Sequence, residues 1–262
     1  MNTFINKKYN QIIMEAQILI WIIIATIVVS SMSFLAAWFL KNKTTKYLHY
    51  LITFAAAALL SSAFFDLIPE SLEVIDLHIG LTFVLLGILC FFFIERFIHW
   101  HHCGKEHCEK KSLGTLNLIG DGIHNFLDGI IVAGSFLISP ITGFFTSIAI
   151  ALHELPQEIG DYSILRHSGF THKNALKMNV LISLTAILGG FVGFLFLSFF
   201  ENMIPYLVAL TAGGFLYIAL SDIFPDLHEH NNDKKKITIE AIILIVTIIL
   251  FYILFSVLGH AH

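Results

Sequence analysis

His124-Asn125-Phe126-Leu127-Asp128-Gly129 and His153-Glu154-Leu155-Pro156-Gln157-Glu158 are two polar strings set inside otherwise apolar stretches. Imidazole, carboxylate and carboxamide are groups that bind divalent transition metals through nitrogen and oxygen. Their spacing suits that chemistry. His124 and Asp128 are i,i+4, and so are His153 and Gln157, so each pair projects from one helix face about a turn apart. Asn125 and Glu154 are offset by one residue and turn toward an adjacent position. One site could use His124, Asp128, His153 and Gln157; a second could use Asn125, Asp128, Glu154 and Gln157 with a residue from elsewhere. Amide ligands keep negative charge low, which favours release of a cation over its storage.

The surroundings of each string form a stripe. At about 100° per residue, Asn117, Asp121, His124, Asn125 and Asp128 share one arc of a helix. Thr146, Ser147, His153, Glu154, Gln157, Glu158 and Asp161 share one arc of the next. Two such stripes face to face make a polar seam. A charged side chain at a bilayer centre costs roughly 2.5–3.5 kcal/mol even on the lenient insertion scale. Asp121, Asp128, Glu154, Glu158 and Asp161 must therefore turn inward. Pro156 removes a backbone hydrogen bond and frees the Leu152 carbonyl, a break tolerated in a membrane where it lines a cavity.

The elements that must position these groups are membrane spans. The chain is 56% hydrophobic and 13% charged, with a mean hydropathy of +0.80, which excludes an ordinary soluble domain. Apolar runs predict eight helical spans over residues 17–40, 47–68, 79–99, 113–137, 141–165, 173–199, 203–225 and 237–259. The expected fold is an all-α integral membrane protein, a single transporter-like domain over 1–262, with one longer connection at 100–112. No cleavable signal peptide is evident, because the first apolar run is too long. Three cysteines, unevenly placed, do not make a disulfide framework.

Basic residues set the orientation. Lys41, Lys43 and Lys46 follow span 1; Arg96, Lys105, Lys110 and Lys111 follow span 3. Arg166, Lys173 and Lys177 follow span 5, and Lys234, Lys235 and Lys236 follow span 7, while Lys7 and Lys8 run against the pattern. The positive-inside rule then makes these loops cytoplasmic and puts both termini outside, most simply in the plasma (cell inner) membrane. Span 2 ends Asp66-Leu67-Ile68-Pro69-Glu70 and span 7 ends Asp222-Ile223-Phe224-Pro225-Asp226. Both read acid, two apolar residues, proline, acid. A repeat of spans 1–3 in spans 6–8 around a central pair returns with opposite topology, a 3+2+3 arrangement typical of transporters. It would place Asp66 and Glu70 on the outer face, with Asp222 and Asp226 on the inner one.

On these residues the chain resembles the ZIP (Zrt/Irt-like) family of divalent metal transporters, over essentially its whole length. The match is carried by His124-Asn125-x-x-Asp128-Gly129 on span 4 and His153-Glu154-x-Pro156-Gln157-Glu158-Ile159-Gly160-Asp161 on span 5. The second string resembles the LIV-1-type branch. The resemblance implies a binuclear metal centre between these spans. Its first site would be His124, Asp128, His153 and Gln157, and its second Asn125, Asp128, Glu154 and Gln157. Asn179 falls near a further ligand position. Gln157 stands where many members carry His or Glu, and Asp66 where many carry His.

The expected function is movement of a divalent transition metal toward the cytoplasm. Zn²⁺ is the first choice, with Fe²⁺, Mn²⁺, Co²⁺ and Cd²⁺ as alternatives. No other cofactor, no enzyme activity and no nucleic-acid partner is expected; the partners are the metal, the bilayer and, as an assembly, a homodimer. Glu158, Asp121, Asp161 and Asn179 are candidate extra ligands or pathway groups. His99, His101, His102 and His107, with Cys103 and Cys108, give the junction between spans 3 and 4 metal-binding composition without a spacing that dictates a fixed site. Two rivals remain. His153-Glu154 begins like the His-Glu-x-x-His motif of an intramembrane zinc metalloprotease, but Gln157 replaces the second histidine and Pro156 interrupts the turn. A non-transporting metal sensor is the other.

Overall fold

The computed structural model describes residues 2–40, 44–102, 108–200, 202–229 and 234–258, all of them helix or short turn. Helix α1 is Asn2–Leu40. Helix α2 is Thr44–Ser62, carried on by a π turn, Ala63–Leu67, and by Ile68–Leu72. Helix α3 is Leu77–His102, α4 is Cys108–Ile138 and α5 is Pro140–His167. Helix α6 runs in two parts, His172–Ser183 and Thr185–Phe200. Helix α7 is Ile204–Tyr217, then a π turn, Ile218–Ile223, then Phe224–Glu229, and α8 is Lys234–Leu258.

Six of these eight helices are long and apolar enough to cross a membrane: Ile13–Leu40, Tyr47–Leu72, Leu77–Phe97, His172–Leu197, Ile204–Ile223 and Lys234–Val257. The other two are α4 and α5. At 1.5 Å per residue they are roughly 46 and 42 Å long, more than the ~30 Å of a hydrocarbon core. Their polar stripes keep them from qualifying by composition. The ends also differ from the sequence reading. Helix α1 starts at Asn2 rather than near 17, and α3 persists to His102, so the connection before α4 is shorter than 100–112. His107 and Cys103 lie outside the described residues, as do the side chains of His99, His101, His102, Cys108 and Asp226.

Local chemistry explains the breaks. Ser139 alone separates α4 from α5. Its hydroxyl accepts the Thr142 N–H at 3.0 Å, and Pro140 takes the first helical position, where an N–H has no partner anyway. Helix α5 closes at Gly169, whose φ of +87° suits glycine, and the Phe170 N–H donates to the Leu165 carbonyl at 3.1 Å. Helix α6 is interrupted at Leu184 by a neighbour. The Ser30 hydroxyl of α1 donates to the Ser183 carbonyl at 2.7 Å, and the Ile187 N–H turns to the Leu184 carbonyl instead.

The packing places α4 and α5 at the centre. Helix α4 lies against α6 and α5 against α1; α7 lies against α3 and α2 against α8; α4 and α5 pack on each other. The α4–α6 seam has almost no spacing, since a Cβ on Gly129 would fall 2.0 Å from the Ala186 carbonyl oxygen. Ala55, Ala56, Ala57 and Ala58 of α2 are all buried, and Ala55 comes within 3.3 Å of where a Cβ on Gly160 of α5 would sit. Small residues let α2 approach the polar helix closely. The outward faces are apolar: Trp21 and Trp38 of α1, Leu85 and Phe93 of α3, and Ile245 and Ile249 of α8 are all exposed.

Candidate metal centre

The polar stripes of α4 and α5 face one another. His124 and Asp128 from α4 meet His153 and Glu154 from α5, and one ligand atom from each lies within 4.8 Å of every other. All four are buried, His153 being the most accessible at 7%. His124 Nε2 is 3.5 Å from Asp128 Oδ2 and 3.5 Å from Glu154 Oε1; His153 Nε2 is 3.5 Å from Asp128 Oδ2. These separations are too long for a good N–H···O bond. The four atoms are in fact without hydrogen-bond partners. Burying such groups unpaired is expensive, and the four converging atoms could hold a cation.

The spacing has a specific size. Ligand atoms at 2.0–2.1 Å from a tetrahedral Zn²⁺ stand about 3.3–3.4 Å apart. Three pairs at 3.5 Å are therefore close to the edges of a zinc tetrahedron. Asp128 Oδ2 and His124 Nε2 are each common to two of those edges, so these two residues link the group. Aromatic rings wall it: the His124 ring centroid lies 5.4 Å from that of Phe215, and the His153 centroid 5.8 Å from that of Phe255. Apolar walls hold the imidazoles in place and keep the local dielectric low.

A cavity of about 370 Å³ leads to this group, and His124, Asp128 and His153 form part of its lining. Asp66, Glu70 and Glu73 of the α2 segment and its exit also line it. The sequence reading named Asp66 and Glu70 but missed Glu73. The signal was present, because Glu73 is i+3 from Glu70 and i+7 from Asp66 on one helical face. Phe215 and Phe255 carried no such signal, being apolar residues in apolar helices.

The remaining candidates separate. Both amide atoms of buried Gln157 are without partners. The Asn125 amide nitrogen donates to Asp121 Oδ1 at 2.6 Å. Asp121, Glu158 and Asp161 gather in a second group, again with one oxygen from each within 4.8 Å of the others. Asn179 of α6 donates to Glu158 Oε2 at 2.6 Å, and Asn117 of α4 to Asp161 Oδ1 at 3.0 Å. Asp222 is part of the π turn of α7, and Tyr217, just before that turn, donates to Glu95 Oε2 of α3 at 2.6 Å.

Comparison with known proteins identifies the family. Residues 101–255 match the family model described as ZIP zinc transporter. Zinc transporter ZIP13 of Pongo abelii is 34% identical over 240 residues, covering 84% of this chain and 68% of that protein. Zinc transporter ZIP13 of Danio rerio is 42% identical over 129 residues, 48% of this chain and 37% of the relative. Zinc transporter ZIP10 of Homo sapiens is 35% identical over 150 residues, 52% of this chain and 18% of the relative. The matches thus span well under half the length of the latter two. By the family match over both polar strings and the long alignment to the first relative, this all-helical membrane chain belongs to the ZIP zinc transporter family.

Proposed function

We propose that the chain carries Zn²⁺ across a membrane toward the cytoplasm, through a midplane site between α4 and α5. His124, Asp128, His153 and Glu154 hold the ion, with Gln157 and Asn125 beside them. The observation that carries this reading is the set of four buried, unpaired nitrogen and oxygen atoms, three of whose separations are 3.5 Å, close to the edge of a zinc tetrahedron. The ion arrives through the cavity lined by Asp66, Glu70 and Glu73, whose charge raises the local cation concentration. It exchanges water for protein ligands at the cavity floor. It leaves on the side where Lys110, Lys111, Arg166, Lys173 and Lys177 flank the helix ends, which the positive-inside rule makes cytoplasmic. Both termini are then outside, and the plasma membrane is the expected location.

The chain crosses eight times in a 3+2+3 arrangement, with α4 and α5 as the polar-centred pair. Two features support an inverted repeat. The π turns fall at corresponding places, Ala63–Leu67 before Pro69 and Ile218–Ile223 before Pro225. Each proline lacks an N–H and frees a carbonyl four residues back, which suits a locally widened turn. The packing partners also exchange under the repeat: α6 on α4 answers α1 on α5, and α7 on α3 answers α2 on α8. Rocking the halves about the central pair would give alternating access.

Uptake of ⁶⁵Zn into proteoliposomes tests the reading. Uptake above protein-free vesicles is expected, with Cd²⁺ competing. In the double variant Asp66→Asn, Glu70→Gln, the half-saturating zinc concentration should rise severalfold while the maximal rate holds. This effect should fade in high salt, as expected of electrostatic attraction. No uptake would sink the function, and an unchanged half-saturation would sink the access route.

A further inference from the structure

We infer that Asp121, Glu158 and Asp161 form a second cation site, built from oxygen ligands alone and lying on the cytoplasmic side of the imidazole site. The three carboxylates come from α4 and α5, are at most 2% exposed, and bring one oxygen each within 4.8 Å of the others. Each is held by one amide. Asn125 donates to Asp121 Oδ1, Asn179 to Glu158 Oε2 and Asn117 to Asp161 Oδ1. Every carboxylate therefore keeps a second oxygen bare: Asp121 Oδ2, Glu158 Oε1 and Asp161 Oδ2 have no partner. Orienting one oxygen and leaving the other free is what outer-shell partners do for metal-binding carboxylates.

A second observation comes from outside the acids. Ser33 of α1 is fully buried beside Glu158, and its hydroxyl makes no hydrogen bond of acceptable geometry. The carbonyl oxygens of the three asparagines are likewise buried and bare. Among the described residues no basic side chain pairs with the group: Arg166, five residues beyond Asp161, gives its Nη1 to the Phe170 carbonyl. The donor set contains no imidazole or thiolate. Such a set suits a harder divalent cation such as Mn²⁺, and holds Zn²⁺ less selectively than the histidine site.

The position suits a relay. Asp121 precedes His124 by three residues and Glu158 follows Glu154 by four, on antiparallel helices, so the second group lies roughly 4–6 Å deeper. Of the two groups, only the histidine-bearing one lines the acid-edged cavity. Gln157, i+4 from His153 and i−4 from Asp161, stands on the same face between them with both amide atoms unpaired. The role as a step on the path rests on the transport reading; the binding of a cation does not.

The test is Mn²⁺ binding to the full chain in detergent, followed by electron paramagnetic resonance. In the background His124→Ala, His153→Ala, one bound Mn²⁺ per chain is expected to persist. Adding Asp121→Asn and Asp161→Asn should weaken it at least tenfold. Glu158→Gln alone, a milder change checked for native helix content by circular dichroism, should weaken it severalfold. Loss of Mn²⁺ in the histidine-free background, or binding unmoved by the carboxylate changes, would overturn the site. Failure of wild-type vesicles to take up zinc, with Mn²⁺ still bound in this assay, would instead overturn the transport reading and leave the site standing.

Discussion

Asp128→Asn is expected to reduce zinc uptake to background, a loss of at least roughly 100-fold. Groups that merely support a metal ligand are worth 10–100-fold, and the role proposed for Asp128 is direct ligation. Its Oδ2 lies 3.5 Å from the Nε2 of both His124 and His153, so one oxygen bridges the two imidazoles. Asparagine keeps the size of the residue and removes its charge. The site would then carry one anionic ligand, Glu154, where the intact protein has two. Isosteric replacement should leave the fold intact, because Asp128 makes no hydrogen bond through that oxygen. Unchanged helix content together with lost ⁶⁵Zn uptake is the expected pattern. Uptake within a fewfold of wild type would remove Asp128 from the site.

His153→Asp is expected to change which metal passes. Imidazole favours zinc, whereas carboxylate oxygen favours manganese and other hard cations. His153 is the most exposed of the four grouped residues and packs against Phe255 at one edge, so a shorter side chain leaves its neighbours in place. With ⁶⁵Zn and ⁵⁴Mn offered together to proteoliposomes, the zinc-to-manganese uptake ratio should fall by roughly tenfold or more. The direction matters more than the size. A ratio that stays constant while both rates drop would mean that His153 supports the structure without touching the ion.

The site could be anticipated because its residues break the rule that governs the rest of the chain. Acids and imidazoles inside apolar runs have to turn inward, and helical spacing gathered them onto two faces. What spacing could not supply was the grouping. The sequence left Glu154 in a different set from His124, whereas Glu154 Oε1 is 3.5 Å from His124 Nε2. Rotation of one helix about its own axis decides such pairings, and it is set by distant close contacts such as Gly129 on Ala186 and Gly160 on Ala55. Asn125, expected at the metal, donates its amide N–H to Asp121 and keeps a bare carbonyl oxygen. The break in α6 at Leu184 was also invisible, because it depends on a hydroxyl of α1, Ser30, captured by the Ser183 carbonyl. The π turns were half legible: the two prolines mark them, but the widened geometry is a tertiary outcome.

The proposed transport requires one dehydrated cation among His124, Asp128, His153 and Glu154. Zinc K-edge X-ray absorption of the zinc-loaded protein addresses it most directly. The expected spectrum has four nitrogen or oxygen neighbours at about 2.0–2.1 Å. Outer-shell scattering from two imidazole rings should be present, and lost when both histidines are alanine. A six-coordinate oxygen shell without imidazole scattering would place the ion elsewhere.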